Sequence, residues 1–335
     1  MRRFDYARVR SVAEAAAAGA APGSQFLAGG TTQLDLMKDG VLTPSRLVDL
    51  TALPLRDIAV GTGTQGRTLT VGALVTMEQL AVHPELDGAL VVRESLLAGA
   101  SVQLRNMATI GGNLLQRTRC RYFRDPTVPH CNKRDAGSGC AAITGHARMH
   151  AILGASQSCI AVHASDLAVA LVAIGAWVQL TGPTGERTVP LTEFYTSAAD
   201  DPATENVLDV GELITAVTIP LPAADVRSGY LKVRDRASYE FALTSAAVLL
   251  DVDDGQIRSA AVGLGGVGTV PWRARRAEQL LTGAPATTAT FRAAADAEIT
   301  DCFTVAGTEF KVELAKRTLV RQLETVTAQP SGDPR

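Results

Sequence analysis

Residues 25–38 read QFLAGGTTQLDLMK. Apolar Phe26-Leu27-Ala28 runs into Gly29-Gly30, two threonines follow, and Leu34, Leu36 and Met37 resume an apolar pattern before Lys38-Asp39-Gly40. The reading is a strand, a glycine turn and a helix. Glycines let the backbone come close to a ligand, and successive amides, threonine hydroxyls and a helix start form a pocket for a pyrophosphate. An ordinary strand-to-helix turn has the same seven residues, and the pattern is not G-x-G-x-x-G, so a Rossmann assignment fails here.

Working outward, a second glycine loop, Arg105-Asn106-Met107-Ala108-Thr109-Ile110-Gly111-Gly112-Asn113, follows a helical pattern over Val91 to Val102. Its backbone can also approach a ligand closely, with Asn113 as a hydrogen-bonding group, although a glycine turn closing a helix accounts for it equally. Ser11 to Ala21 is Ala-rich behind a capping serine and reads as a short helix. Arg46 to Leu50 and Leu69 to Gly72 read as strands around the turn-rich Gly61 to Gly66, and Thr76 caps a helix to Val82. Residues 177–190 are a hairpin pattern turning at Gly182-Pro183-Thr184-Gly185. Ile219-Pro220-Leu221-Pro222 punctuates the chain, and a domain boundary is expected at about 220–226. Beyond it, two strand-like runs flank Asp253-Asp254-Gly255, and helices start near Ala289 and Phe310 before a polar, fraying tail.

At 335 residues, two domains are the natural expectation. With 32 Lys plus Arg against 34 Asp plus Glu and 4% aromatics, the chain lacks a nucleic-acid footprint. Four arginines open the sequence, but no apolar stretch follows, so no secretory signal is read. The longest apolar run, LAVALVAIGAWV from Leu167 to Val178, has 12 residues and is a buried core element, too short for a membrane span.

Four of the five cysteines, Cys120, Cys131, Cys140 and Cys159, stand in a segment (about 117–160) without sustained apolar periodicity, spaced C-x10-C-x8-C-x18-C. Something other than apolar packing must order it. Four thiolates can close a tetrahedral zinc site or hold the corners of an iron–sulfur cubane, and the spacing does not choose between them. Arginines and lysines around the first two cysteines, Arg117, Arg119, Arg121, Arg124, Lys133 and Arg134, suit a net-negative centre, as they would a solvated basic loop. His130 adjoins Cys131 and is expected beside a metal rather than on it, while Cys302 reads as a small core residue on a helix. Asp166 after Ser165 opens the apolar run, where capping alone would explain the pair. Lys232, Arg234 and Arg236 alternate on one strand face that could border an anionic cofactor. Ser-His-Asp, H-E-x-x-H and P-loop patterns are missing.

Taken together, LAGGTTQLDLMK, LTVGALVTMEQLAVHP, QLRNMATIGGNL, SDLAVAL and GLGGVGTVPWRARRAEQLLTG, in this order over nearly the whole chain, resemble the FAD-binding medium subunits of molybdenum hydroxylases, the xanthine dehydrogenase and carbon monoxide dehydrogenase group. The cysteine segment between IGGNL and SDLAVAL is similar to that of the flavoprotein subunit of bacterial periplasmic aldehyde oxidoreductase, which holds a [4Fe-4S] cluster. The resemblance implies an α+β fold: a two-lobed, PCMH-like FAD domain over 1–223, with an iron–sulfur insertion at about 117–160, and a smaller α+β domain over 224–330. It implies that Leu27, Ala28, Gly29, Gly30, Thr31, Thr32, Gln33 and Leu34 hold the FAD pyrophosphate and that Thr109 and Gly112 form the second FAD loop. Asp166 then falls on the ribose or adenine side and Lys232 on the flavin side, and Cys120, Cys131, Cys140 and Cys159 ligate the cluster.

The implied role is electron transfer. A molybdenum-cofactor large subunit oxidises a substrate, an aldehyde by this resemblance, a small subunit with [2Fe-2S] centres relays electrons, and FAD here delivers them to an external acceptor. An acid–base dyad is then unnecessary, because cofactors carry redox chemistry. Two other readings are a stand-alone flavoprotein with a zinc-stabilised insertion and a non-catalytic scaffold. The cytoplasm is the default compartment, and the periplasm follows if a signal-bearing partner exports the assembled subunit.

Overall fold

A computed structural model describes residues 1–330 apart from Thr64, Gln65 and Asp200, so the tip of the turn within 61–66 and most of the polar tail lie outside the described residues. The chain builds three sheets. The first lobe has strands β1 (Asp5–Arg8), β2 (Ser24–Leu27) and β3 (Arg46–Asp49), with helices α1 (Val12–Gly19) and α2 (Gln33–Lys38) between them. Its strands run parallel in the order β1-β3-β2. Ser11 caps α1 through the Glu14 amide, as a serine ahead of an alanine run does.

The second lobe opens with β4 (Ile58–Gly63) and β5 (Gly66–Gly72), then α3 (Met77–Ala81), α4 (Leu90–Ala98), α5 (Val102–Arg105) and α6 (Ile110–Leu114). Thr76 and Gln79 close a reciprocal capping box on α3. The expected helix over Val91 to Val102 is two: α4 stops at Gly99, Ala100 takes a left-handed φ of 54°, and Ser101 caps α5 anew. A single-turn helix α7 (Arg121–Arg124) lies in the cysteine segment, and α8 (Asp166–Ile174) follows it. After α8 come the hairpin β6 (Trp177–Gly182) and β7 (Gly185–Pro190), α9 (Leu191–Phe194) and β8 (Leu213–Pro220), closing a sheet ordered β4-β5-β8-β6-β7.

The last third is an antiparallel sheet of β9 (Val226–Val233), β10 (Thr244–Asp253), β11 (Gln256–Gly265) and β12 (Trp272–Arg273), covered by α10 (Arg275–Leu281), α11 (Thr288–Glu298) and α12 (Phe310–Thr327). Ala315, Leu319, Leu323 and Val326 bury one face of α12 in this core. Cys302 packs at the edge of the same core but lies beyond α11 rather than on a helix.

Helix α8 joins the two halves. Of its nine residues only Ile174 escapes full burial, because α8 packs against α4 on one side and against β10 and β11 on the other. A helix apolar all round is what such a position demands. Each fully buried Leu or Val there contributes roughly 1.5–3 kcal/mol of burial. Arg273 from β12 donates to the Val172 carbonyl at 2.7 Å, satisfying an otherwise open helix end.

Candidate binding groove and thiol centre

Two glycine loops meet. A methyl group added at Gly29 would lie 2.0 Å from the Met107 carbonyl oxygen, so the first loop can press against the second only because residue 29 has no side chain. Gly30 has φ +72°, a conformation that L side chains rarely adopt. The second loop is pinned in turn: the Ile110 and Gly111 amides donate to the Val75 and Ala73 carbonyls, both at 2.9 Å, and the Thr109 hydroxyl caps α6 by accepting from the Gly112 amide at 3.2 Å.

Ala28, Gly29, Gly30, Thr31, Thr32 and Gln33 line a cavity of about 480 Å³ together with Thr109 and Gly112. Thr32 precedes α2 without a side-chain cap, which leaves the first amides of that helix unclaimed by its own threonine. Leu27 and Leu34 are not in this wall; their side chains lie against Gly30, with Leu34 exposed. A return segment, Leu208 to Ile214, forms the opposite wall and has no motif that marks it in the sequence.

A second cavity of about 280 Å³ contains Asp166 and Lys232 and shares Thr31, Thr32 and Gly112 with the first. The two form one elongated groove. Lys232 Nζ donates to Asp166 Oδ2 at 2.8 Å and to the Ala98 carbonyl at 3.1 Å, and the Tyr230 hydroxyl donates to Asp166 Oδ1 at 2.7 Å and accepts from Ser245 Oγ at 2.8 Å. Burial, with the Asp166 charge beside it, raises the Tyr230 phenol well above its ordinary pKa. Asp166 is therefore at the same end as Lys232, and the glycine-loop cavity lies at the other. Tyr230 and Lys232, two apart on β9, share a face, so the alternation that singles out Lys232 also held the clue to Tyr230.

The other expected groups divide. Arg234 and Arg236 both lie beyond the end of β9 rather than on its face: Arg234 shares the Ala98 carbonyl with Lys232, at 3.0 Å, and Arg236 bonds the Tyr239 carbonyl. Asn113 is spent inside the protein, accepting from Ser165 Oγ at 2.5 Å and donating to Met77 Sδ at 3.3 Å. Ser165 caps α8 through the Ala168 amide at 3.0 Å, leaving Asp166 as the first helical residue rather than the cap.

The four clustered cysteines converge. Cys120, Cys131, Cys140 and Cys159 line one small apolar cavity, and none is in a disulfide. Cys131 and Cys140 face each other across an isolated antiparallel bridge closed by Ala141 N–H to the His130 carbonyl at 2.9 Å and Asn132 N–H to the Gly139 carbonyl at 2.8 Å. Burial pushes the Cys120 thiol up to about 12 and also raises that of Cys159, so neither becomes a thiolate without a positive partner. Amides already face two of the sulfurs, including Ala161 N–H to Cys159 Sγ at 3.4 Å. Among the described residues no three Cys, His, Asp or Glu side chains close tightly enough to hold a single metal ion. Four cysteines around one small space are a donor set of the kind that holds either an iron–sulfur cluster or a tetrahedral metal ion.

His130 lines the thiol cavity, with its Nδ1 2.8 Å from the Ser138 carbonyl, and His150 also reaches the thiols, its Nε2 3.2 Å from Cys120 Sγ. Charged side chains fasten the segment. Glu205 pairs with Lys133 and Arg117, each at 2.8 Å, and although burial pushes its carboxyl upward, those two cations outweigh it and hold it below its ordinary value. Arg134 donates to the Tyr122, Phe123, Asp125 and Val128 carbonyls, gathering the first limb around one guanidinium. The far limb enters the core of the last third, where Ile152 and Leu153 donate to the Val267 carbonyl at 2.8 and 2.9 Å. Lys311, wholly buried on α12, donates to the His150 carbonyl at 2.6 Å and to that of Gly266.

Comparison with known proteins agrees with this geometry. The family described as the FAD binding domain in molybdopterin dehydrogenase matches residues 2–222, and the CO dehydrogenase flavoprotein C-terminal domain matches residues 229–326. The chain is 47% identical over 334 residues to the aldehyde oxidoreductase FAD-binding subunit PaoB of Escherichia coli K12, covering 98% of this chain and 100% of that one. It is 30% identical over 285 residues to the carbon monoxide dehydrogenase medium chain of Afipia carboxidovorans, covering 84% and 80% respectively. Among solved structures, Cu,Mo-CO dehydrogenase aligns with a TM-score of 0.76 at 27% identity, over 98% of this chain and 99% of that chain.

Proposed function

This chain belongs to the FAD-binding subunits of the molybdenum hydroxylase family, and from that membership we propose that it is the flavin and [4Fe-4S] electron-transfer subunit of a heterotrimeric aldehyde oxidoreductase. Its partners in this reading are a molybdenum-cofactor large subunit and a [2Fe-2S] small subunit, and FAD passes their electrons to an external acceptor. The observation that carries the reading is the continuity of the groove: the two cavities share Thr31, Thr32 and Gly112, as a ligand with a pyrophosphate at one end and a ring at the other requires.

Bound FAD would supply the two-electron redox chemistry. The protein's part is to hold and polarise. The Gly29-Gly30-Thr31-Thr32 loop and Gln33 would take the pyrophosphate, with Thr109 and Gly112 as the facing loop. At the other end the Lys232 ammonium has three N–H groups; Asp166 and Ala98 use two, which leaves one for an acceptor in the cavity. Tyr230 and Lys232 together neutralise and fix Asp166, so this end is rigid before any ligand binds. Cys120, Cys131, Cys140 and Cys159 would ligate the cluster, whose positive irons offset the burial that raises the Cys120 and Cys159 thiols.

No helix among the described residues is long and apolar enough to cross a membrane. In the proposed assembly the compartment follows whichever partner carries an export signal. The test is an anaerobic visible spectrum of the purified complex with flavin, iron, acid-labile sulfide and zinc quantified on one sample. About one flavin, four irons and four sulfides on this subunit support the reading. Zinc without sulfide on this chain would replace the cluster by a structural zinc site, and a colourless subunit would reduce the chain to a scaffold.

A further inference from the structure

The small thiol cavity and a larger one of about 570 Å³ meet at one sulfur-bearing residue. Of the four clustered cysteines, Cys120 alone lines both, and His150 lines the larger cavity beside it. His150 is 4% exposed, and its Nε2 lies 3.2 Å from Cys120 Sγ. The cysteine nearest the open space is thus the one that an imidazole reaches.

The ring is held from its backbone. The His150 amide donates to the Ala147 carbonyl at 2.8 Å, the next amide, that of Ala151, donates to the Ile160 carbonyl at 2.9 Å, and the His150 carbonyl accepts from buried Lys311 on α12 at 2.6 Å. These bonds fix the residue from within the cysteine segment and from the last third of the chain. The buried His150 Nδ1 has no hydrogen-bond partner among the described residues, so the ring spends its polar contact on the sulfur.

The direction of that contact follows from the chemistry of a ligand thiolate. A sulfur bound to iron carries no proton and can only accept, so the imidazole donates from Nε2. The Tyr122 and Phe123 amides face the same sulfur, whereas Cys159 Sγ accepts from the Ala161 amide. Hydrogen bonds to its sulfurs are among the factors that set the potential of an iron–sulfur centre, because donors stabilise the added negative charge of the reduced form.

We propose that His150 tunes the reduction potential of the iron–sulfur centre by donating its Nε2–H to the Cys120 sulfur. The proposal rests on the reading that the four cysteines hold a [4Fe-4S] cluster. One electron, supplied by the [2Fe-2S] centres of the small subunit, adds negative charge to the cluster and its sulfurs. The N–H stabilises that charge without giving up its proton, so the midpoint potential lies higher than it would without the bond.

The test is a redox titration of the purified complex followed by electron paramagnetic resonance, with iron and acid-labile sulfide quantified on the same samples. The signal to follow is the one that Cys131→Ser removes, which separates this centre from those of the small subunit. His150→Leu, close to histidine in volume but without a donor, is expected to lower the midpoint by about 59 mV, a tenfold shift of a one-electron equilibrium. His150→Gln, which can place an N–H near the Nε2 position, is expected to recover at least half of that shift. If His150→Leu loses iron, His150→Asn, too short to reach the sulfur in the same way, carries the same expectation. A wild-type midpoint in His150→Leu with full iron and sulfide overturns the proposal, as does a shift in His150→Gln equal to that in His150→Leu. Iron lost from all three variants also overturns it, since His150 would then hold the centre or its segment rather than tune it. A wild-type complex without iron and sulfide on this chain would instead overturn the cluster assignment in the proposed function.

Discussion

Lys232 Nζ sits 2.8 Å from Asp166 Oδ2, and both side chains are more than nine-tenths buried, at 4% and 9% exposure. A buried ion pair adds little beyond a well-packed apolar pair, but removing one partner strands the other charge at a cost of about 3–5 kcal/mol. Lys232→Met is therefore expected to lower the melting temperature and to release flavin, and Asp166→Asn combined with it to recover part of the stability. Thermal denaturation and the flavin-to-protein ratio of the three variants decide the matter. A double variant whose loss equals the sum of the single losses would show that the two residues are not coupled.

Gly29→Ala places a methyl group 2.0 Å from a backbone oxygen, a clash that no side-chain rotation relieves. Loss of flavin and partial loss of fold are expected, amounting to several kcal/mol. Gly88→Ala, where a methyl group meets nothing within 4 Å, is the matched control and is expected to be neutral. Wild-type flavin content in Gly29→Ala would mean that the two glycine loops do not meet as described.

Cys131→Ser is expected to remove iron and acid-labile sulfide and to open the segment 117–160 to limited proteolysis, while Cys302→Ser leaves both unchanged. The contrast follows from position, since Cys131 lines the thiol cavity and Cys302 lies at the edge of the α12 core. Full iron in both variants would remove Cys131 from the ligand set.

Among the described residues Lys311 has no carboxylate partner in contact, and burial lowers its pKa to about 7 from an ordinary 10.5. Between those values the unfolded chain binds more protons than the folded one, so this group makes stability rise with pH from about 7 to 10.5, by at most about 1.4 kcal/mol per unit. Below pH 7 its contribution is flat at its least favourable level. The melting temperature of wild type minus that of Lys311→Met is thus expected to increase as pH goes from 7 to 10. A difference independent of pH would show that Lys311 stays charged in the fold.

Much of the architecture is local enough to read from residue order. Ser11, Thr76 and Ser165 cap helices as their side chains predict, the hairpin turns at 182–185, and β8 ends at Pro220 before the last third begins at Val226. The helix over Val91 to Val102 is misread because the break at Ala100 is a left-handed residue with no glycine to announce it. Cys302 was placed on a helix for want of any signal that α11 stops at Glu298.

The sequence by itself determined the two glycine loops, since a close backbone approach and a positive φ leave no other residue type, and it determined the four cysteines as a group, since no apolar pattern could order their segment. Only the tertiary structure decided which distant groups share a site. Asp166 belongs with Tyr230 and Lys232, and His150 stands at Cys120. Those pairings cross 64, 66 and 30 residues. The physical reason is that α8 is buried between α4 and the sheet that holds β9, β10 and β11, which brings its first carboxylate onto β9, and that Ile152 and Leu153 anchor the far limb of the cysteine segment in the α12 core. Side-chain type and spacing encode the first kind of information, whereas the second arises when separate apolar faces find a common core.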